Sequence, residues 1–484
     1  MKKSTLSLIV LMVSLLSLLP TAAFAQQMTL EQCMETAVAN NKELIASGYA
    51  VQMKESEKKS MFGHFLPGVT LEGNLLIWDD ELAMDLGDSM SALTGLFDIL
   101  GEIISNQFVQ NMLSDEAKAQ AAGLQTAADS MGGIKVRDQV TASAKVTIAQ
   151  PLTQLYKVYS GYSANKSLYR AAEYDRLSTR QQLELNVTKA YLGLITASKM
   201  VETVKAGLKQ VDAYEEQVKA YLDAQVVERN ALLKVQVRKA DIQKTLFMAE
   251  KGVKIARATL NLLMGRALDT DLEPVIRESL NNPEELLQPT LKTQQRQALD
   301  HRPELLSIAA KKEAANSGKH AAIASLIPEL SAVFQYQYSY GMGATQPENV
   351  YFGGLILTWD AWDWGVEWYE MRSAEYQQKQ VATLLSYAND GIQLDIQKKR
   401  LELEESLKSQ KVAEAQFEQA SENLRIEQIR FDVQETTTTD LLDAQTQHLK
   451  AQNDAIVAEN KMREAYYELL TAMGTDLLEK KEVL

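Results

Sequence analysis

Residues 431–445 read FDVQETTTTDLLDAQ, inside an otherwise unbroken helical pattern running from Val366 to Gly474. Thr436 to Thr439 are consecutive β-branched residues with poor helix propensity, so the helix is expected to stop there. Thr439 is the expected N-cap of a new helix, with Asp440 placing a carboxylate in its first turn. The stretch therefore reads as the tip of a long helical hairpin, with Asp440 and Asp443 one turn apart on one face.

Working outward, the chain proves to be a tandem duplication. A shift of 261 positions aligns Thr29–Val69 with Thr290–Leu330 without a gap, pairing Leu30/Leu291, Ala37/Ala298, Glu43/Glu304, Leu44/Leu305 and Pro67/Pro328. A shift of 209 pairs Asp223/Asp432, Gln225/Gln434, Leu232/Leu441, Gln236/Gln445 and Gly265/Gly474. The first repeat spans 26–289 and the second 290–474, followed by a tail, 475–484.

Each repeat predicts the same parts in the same order. A first helix (29–64; 290–325) ends at a joint, Pro67 or Pro328, where proline forbids further helix and favours extended backbone before it. Two strands follow (68–78 and 139–150; 329–340 and 350–359), then a long helix (158–225; 366–433). Past the tip the chain returns as a helix over 232–265 or 441–474. The two shorter helices together match the long one, so they can stack end to end beside it over roughly 100 Å. Leu232, Leu246, Val253 and Leu260 share a seven-residue register, as coiled-coil packing requires.

The strands are foreign to a soluble coiled coil. Val140, Ala142, Ala144, Val146 and Ile148 alternate with Thr141, Ser143, Lys145 and Thr147; Val69, Leu71, Leu75 and Ile77 alternate with Thr70, Glu72 and Asn74. The segment 329–340 carries Phe334, Tyr336, Tyr338 and Tyr340, whereas 350–359 is bulky on both faces, which stay unassigned. Such alternation with aromatic ends is the signature of outer-membrane barrel strands. Trp78, Trp359, Trp362 and Trp364 are the candidates for an aromatic belt at the lipid–water interface. Four strands cannot close a barrel, and bare edges are not tolerated in lipid, so the chain is expected to oligomerise. Three copies supply twelve strands around a wide interior, and two supply eight around a filled one.

Composition narrows the function. Lys2 and Lys3, an apolar run from Leu6 to Leu19 and Ala23-Phe24-Ala25 read as a secretory signal over 1–25. Removing it takes the net charge from −14 to −16, against nucleic-acid binding. Cys33 is the lone cysteine and allows no internal disulfide. His64, His301, His320 and His448 lack metal-ligand spacing, and no phosphate loop, nucleophile elbow or zinc-protease motif is present. The expectation is a protein that is not an enzyme and holds no cofactor or metal.

The duplication, Asn40-Asn41-Lys42-Glu43-Leu44 with its counterpart His301-Arg302-Pro303-Glu304-Leu305, the proline joints and the tip Thr439-Asp440-Leu441-Leu442-Asp443-Ala444 together resemble the TolC outer-membrane efflux family. The resemblance covers essentially the whole mature chain. It implies a mixed α and β membrane protein: long antiparallel coiled-coil helices, and four strands per chain contributing to a trimeric twelve-stranded barrel. It further implies a homotrimer in outer-membrane lipid with a periplasmic helical tunnel, working with a periplasmic adaptor (membrane fusion) protein and an inner-membrane transporter. By the same resemblance Asp440 and Asp443 line the periplasmic constriction, and Thr436 stands where a basic residue helps close it. Gln225 and Gln434 occupy tip positions where the family often has glycine. At the first tip, Glu228 and Arg229 read either as an ion pair or as solvated charges, and Ala231 and Lys234 replace the two aspartates.

Between the first two strands lies an insertion, 79–134, with ten acids, one base and apolar residues at helical spacing. By the resemblance it faces the cell exterior, either as a helical cap on the barrel rim or as a docking or gating element. Two functions remain open from the sequence. One is a passive exit duct of a tripartite efflux or secretion system, opened by adaptor contact. The other is a periplasm-spanning tether anchored by a plugged barrel.

Overall fold

The computed structural model describes residues 26–84, 134–275, 282–343 and 347–478, with isolated helical positions between 95 and 120. The expected signal segment, most of the insertion and the tail beyond Leu478 lie outside the described residues. Two compact units result: a helical one from residues 1–57, 164–316 and 376–484, and a strand-bearing one from 58–163 and 317–375. Among the described residues no helix is long and apolar enough to cross a membrane.

In chain order the elements are β1 (Gln26–Met28), α1 (Leu30–Asn40), α2 (Lys42–Gly63), β2 (Gly68–Ile77), β3 (Leu82–Met84), β4 (Ile134–Arg137) and β5 (Val140–Pro151). The first hairpin follows as α3 (Leu155–Asp223) and α4 (Arg229–Leu263), then β6 (Leu272–Pro274) and a 3-10 turn, Pro283–Leu287. The second repeat supplies α5 (Leu291–His301), α6 (Pro303–Ser325), β7 (Glu329–Tyr340), β8 (Asn349–Thr358), α7 (Val366–Asp432) and α8 (Thr438–Ala472).

The first helix of each repeat is not continuous, contrary to the expectation of single helices over 29–64 and 290–325. Asn41 (φ −65°, ψ 125°) and Arg302 (φ −67°, ψ 122°) are both extended and interrupt it. Asn41 ends α1 through its N–H to Ala37 O and starts α2 by accepting from Glu43 N and Leu44 N with Oδ1. At Arg302 the following Pro303 enforces extended backbone before it and is itself well suited to the first helical turn. The returning helices end on these breaks. A Cβ on Gly265 (φ 69°) would meet Asn40 O at 2.5 Å, and one on Gly474 (φ 78°) would meet His301 at 2.9 Å. Glycine is therefore required at both.

In the strand-bearing unit one antiparallel sheet runs β2-β5-β7-β8. Its register joins Leu71, Val146, Tyr336 and Tyr351 on one face, and Glu72, Lys145, Gln337 and Val350 on the other. This assigns the strand left open by sequence: Tyr351, Leu355 and Leu357 continue the apolar face, while Phe352 lies opposite Gln335 on the polar one. Glu72 and Lys145 form a directly opposed ion pair at 2.7 Å. The outer edges of β2 and β8 pair with no strand among the described residues. Beyond β2 the insertion is founded on a short ladder of β3 with β4. Gly341 and Gly343 pass so close to Val140 and Lys135 that no Cβ fits at either.

The helical unit has two apolar cores. One gathers Cys33, Met34, Tyr191, Leu260, Ile396, Leu469 and Leu470. The Tyr191 hydroxyl there reaches Met28 O and Val275 O, holding the parallel pair β1–β6 that the sequence pattern did not reveal. Truncating one of the fully buried side chains to alanine costs about 2–5 kcal/mol. The second core, Val211, Val218, Val235, Ile242, Phe431 and Leu441, lies beside the hairpin tips.

Candidate functional site at the hairpin tips

Both tips are built by one device. Gln225 (φ 61°) and Gln434 (φ 66°) adopt the left-handed conformation. After each, an N–H reaches back five residues: Val226 N to Tyr221 O at 2.8 Å and Glu435 N to Arg430 O at 2.7 Å. This is the Schellman ending normally made with glycine. The turn geometry is thus the glycine-type one, despite the glutamines.

The tips diverge at the next helix start. Glu228 caps α4 without a side-chain hydrogen bond. Its counterpart 209 residues on is Thr437, and this residue, not Thr439, is the N-cap of α8. Thr437 Oγ1 accepts from Asp440 N at 3.2 Å, while Asp440 Oδ2 accepts from Thr437 N at 3.2 Å. A reciprocal box needs an acid or amide three residues past the cap. Thr437 has Asp440 there, whereas Thr439 has Leu442. The helix accordingly starts earlier than the expected residue 441.

Asp440 is consequently a capping group. Its Oδ2 also receives the Thr437 hydroxyl at 2.7 Å and the Thr436 hydroxyl at 3.3 Å. The Thr437 hydroxyl and N–H hold this carboxyl below the usual aspartate range. Asp443 is exposed one turn on, and its charge acts on the partly buried Arg238 of α4. Thr436 donates to Glu427 Oε2 at 2.7 Å. Glu427 is paired in turn with Arg430, whose Nη2 reaches Glu435 O. A basic residue does occupy this tip, six residues before Thr436; its spacing of three from Glu427 was the available signal. Glu228 and Arg229 are exposed, and among the described residues neither makes an ion pair.

The two tips of one chain touch. Lys234 Nζ donates to Thr439 Oγ1 at 2.9 Å, and the Tyr221 and Phe431 rings lie 5.9 Å apart. Gln217 of α3 donates to Asp432 Oδ1 at 2.8 Å, and Gln210 and Gln428 both donate to the Tyr214 hydroxyl. Gln445 is fully buried, with its amide nitrogen 3.4 Å from Gly207 O. A cleft of about 490 Å³ between the tips is lined by Tyr221, Val227, Lys234, Phe431, Gln434 and Thr437, among others.

The aromatic residues do not form one belt. Trp359, Trp362 and Trp364 follow the C-terminal end of β8, whose partner in register is the start of β7. Trp78 follows the far end of β2, beside the start of β5. There its Nε1 donates to Thr141 and the Arg137 guanidinium lies 3.7 Å over its ring. The two groups sit at opposite ends of the sheet because β2 and β8 leave it in opposite directions. Trp364 is 86% exposed and left-handed (φ 58°), its ring edge-on to Trp362. At the joints, Thr153 Oγ1 donates to Pro328 O, and Gln150 Nε2 donates to Phe65 O two residues before Pro67.

Paired hairpins of very long helices, joined through prolines to a four-stranded sheet with one largely polar face and two edges unpaired among the described residues, define the outer-membrane channel class of fold. The family model described as outer membrane efflux protein matches residues 295–475, the second repeat with its tip. Over that stretch, 181 of the 484 residues, the chain is similar to the TolC-like proteins. Outer membrane protein TolC of Vibrio cholerae is 25% identical over 183 residues, 37% of this chain and 41% of that one. The chain thus matches about two fifths of that relative's length. The Campylobacter jejuni CmeC outer membrane channel superposes with a TM-score of 0.73 at 13% identity, covering 92% of this chain and 85% of that one. The Vibrio cholerae outer membrane protein VceC gives 0.71 at 14% identity, covering 92% and 96%.

Proposed function

We propose that this chain is the outer-membrane exit duct of a tripartite efflux or secretion system, assembled as a homotrimer. The observation that carries the reading is the sheet: four strands with one apolar face, one largely polar face and two edges that pair with no strand among the described residues. Lipid cannot accommodate bare edges, and joining β8 of one copy to β2 of the next satisfies them. Three copies close twelve strands around a polar interior wide enough to conduct. Exposed apolar residues at seven-residue spacing, Met248, Ile255 and Leu262 on α4 and Tyr387, Leu394 and Leu401 on α7, supply lateral contacts for the helices. The Trp359–Trp364 group would lie at the periplasmic interface and Trp78 at the outer one.

The tips then form the periplasmic end, closed within each copy by the Lys234–Thr439, Gln217–Asp432 and Tyr214 contacts. Contact with a periplasmic adaptor separates them, and an inner-membrane transporter supplies the energy. Of the two aspartates, Asp443 is the one whose carboxylate is not committed to capping, so its oxygens are the freer to meet a cation at the constriction. The test is conductance of purified trimers in a planar bilayer. Cation-selective current is expected, with divalent block from the tip side weakened more by Asp443→Ala than by Asp440→Ala. Zero current under every condition, tip variants included, would overturn the duct reading.

A further inference from the structure

Two carboxyl groups meet in the helical unit just after the end of α8. Glu184 of α3 has a side chain with 0% exposure. Its Oε1 accepts from Arg180 Nε at 2.8 Å, one turn back on the same helix, and its Oε2 is buried without a donor. Asp476 arrives from the C-terminal segment, its Oδ2 3.2 Å from Arg180 Nη2 and its side chain 13% exposed. Asp476 Oδ1 accepts from Leu478 N at 3.0 Å, and Leu477 is 2% exposed in the core that contains Leu469 and Leu470. One guanidinium therefore serves two carboxyls. A proton is what the second oxygen of Glu184 lacks.

We propose that Glu184 and Asp476 act as a proton-sharing acid pair that ties residues 475–478 to α3, tightly in acid and loosely in alkali. The charged groups facing Glu184 are Arg180 from its own helix and Asp476 from the segment packed on it. Burial pushes the Glu184 carboxyl up from its ordinary 4.5 to about 7, the Asp476 charge adds to this, and Arg180 opposes it.

The docked segment thus retains a proton, between those two values, that a released one gives up. Docking is strongest near and below the lower value and weakens as pH rises toward the upper one, by up to about tenfold per pH unit. With both groups ionised, one arginine faces two negative charges in a buried site, and their repulsion favours release. Release also loosens the end of α8, whose Ala472 carbonyl is held by Arg302.

Hydrogen exchange of the peptide covering residues 470–484, in the full-length protein in detergent from about pH 5.5 to about 8.5, tests this after correction for intrinsic rates. Protection in the wild type is expected to fall as pH rises toward about 7 and to level off above it. Glu184→Gln supplies a permanent donor and should flatten the profile at its acid level. Asp476→Asn removes the second charge while Glu184 still titrates, so it should lessen the slope, and it serves if Glu184→Gln misfolds. A wild-type profile flat across this range overturns the proposal, as do variants that keep the wild-type slope.

Discussion

Asn41 and Arg302 hold the same station in the two repeats, 261 positions apart, and each donates to the last-turn carbonyl of its repeat's returning helix. Asn41 Nδ2 reaches Leu263 O at 2.9 Å, and Arg302 Nε reaches Ala472 O, two acceptors that are themselves equivalent under the 209-residue shift. The joint that stacks one helix on the next is conserved in geometry and differs in chemistry. The amide also caps α2, whereas the guanidinium also holds Asp395 of α7.

Alanine at either position should destabilise the helical unit by different amounts. Asn41→Ala removes a cap and one carbonyl bond, about 1–2 kcal/mol. Arg302→Ala loses charge-assisted bonds at a site where the side chain is 13% exposed, about 2–3 kcal/mol. Arg302→Lys should recover little of this, since one ammonium cannot reproduce the fork. Thermal unfolding of the detergent-solubilised protein, followed by far-ultraviolet circular dichroism, ranks the variants.

The cap of α8 separates two adjacent threonines. Thr437→Ala should weaken the start of α8 by about 1 kcal/mol, while Thr439→Ala should change it by about 0.5 kcal/mol or less. Amide exchange of the peptide spanning residues 434–446 reads the difference directly. Equal effects would mean that the reciprocal bonds between Thr437 and Asp440 do not hold the tip.

Acid should act on the same box. The Asp440 carboxyl is held below its ordinary value, so the ionised form is favoured in the folded tip. That contribution is fully present above about pH 4 and is lost as pH falls through the lowered folded value. Wild-type tips are expected to fray on acidification beyond that point. In Asp440→Asn the box should lose this dependence, and exchange at Thr437 N–H reports it.

Gln225 and Gln434 pay a conformational penalty that glycine would not. Replacement by glycine should leave the tips unchanged or stabilise them by up to about 1 kcal/mol. Valine should destabilise by about 1–2 kcal/mol, because a β-branched side chain is strained at positive φ. Comparing proteolytic cleavage rates at the two tips across these variants checks both signs.

Much of the architecture was legible because it repeats. Duplication, the proline joints, the alternating strands and the hairpin reversals all rest on periodicities that survive sparse identity. What escaped was local. Pro303 announced the break at Arg302, but Asn41 carries no such mark and had to be seen bonding both helices. Four threonines in a row offered four equivalent caps, and only the position of Asp440 selects among them. The faces of β8 were hidden because Tyr351 and Phe352 are both aromatic, and register alone separates them. Trp78 was grouped with Trp359 by residue type, although the course of the strands carries them to opposite ends of the sheet.

The outer edges of β2 and β8, unpaired among the described residues, make the timing of synthesis part of the folding problem. Before it assembles, a copy presents adhesive strands on both flanks and can accept any extended backbone that arrives first. In the proposed homotrimer, completion needs encounters with sibling chains, so its rate climbs steeply with their local abundance, whereas side reactions with other polypeptides do not depend on siblings at all. Scarce expression therefore threatens the yield of finished assemblies, and holding factors that shield β2 and β8 until siblings accumulate should raise it.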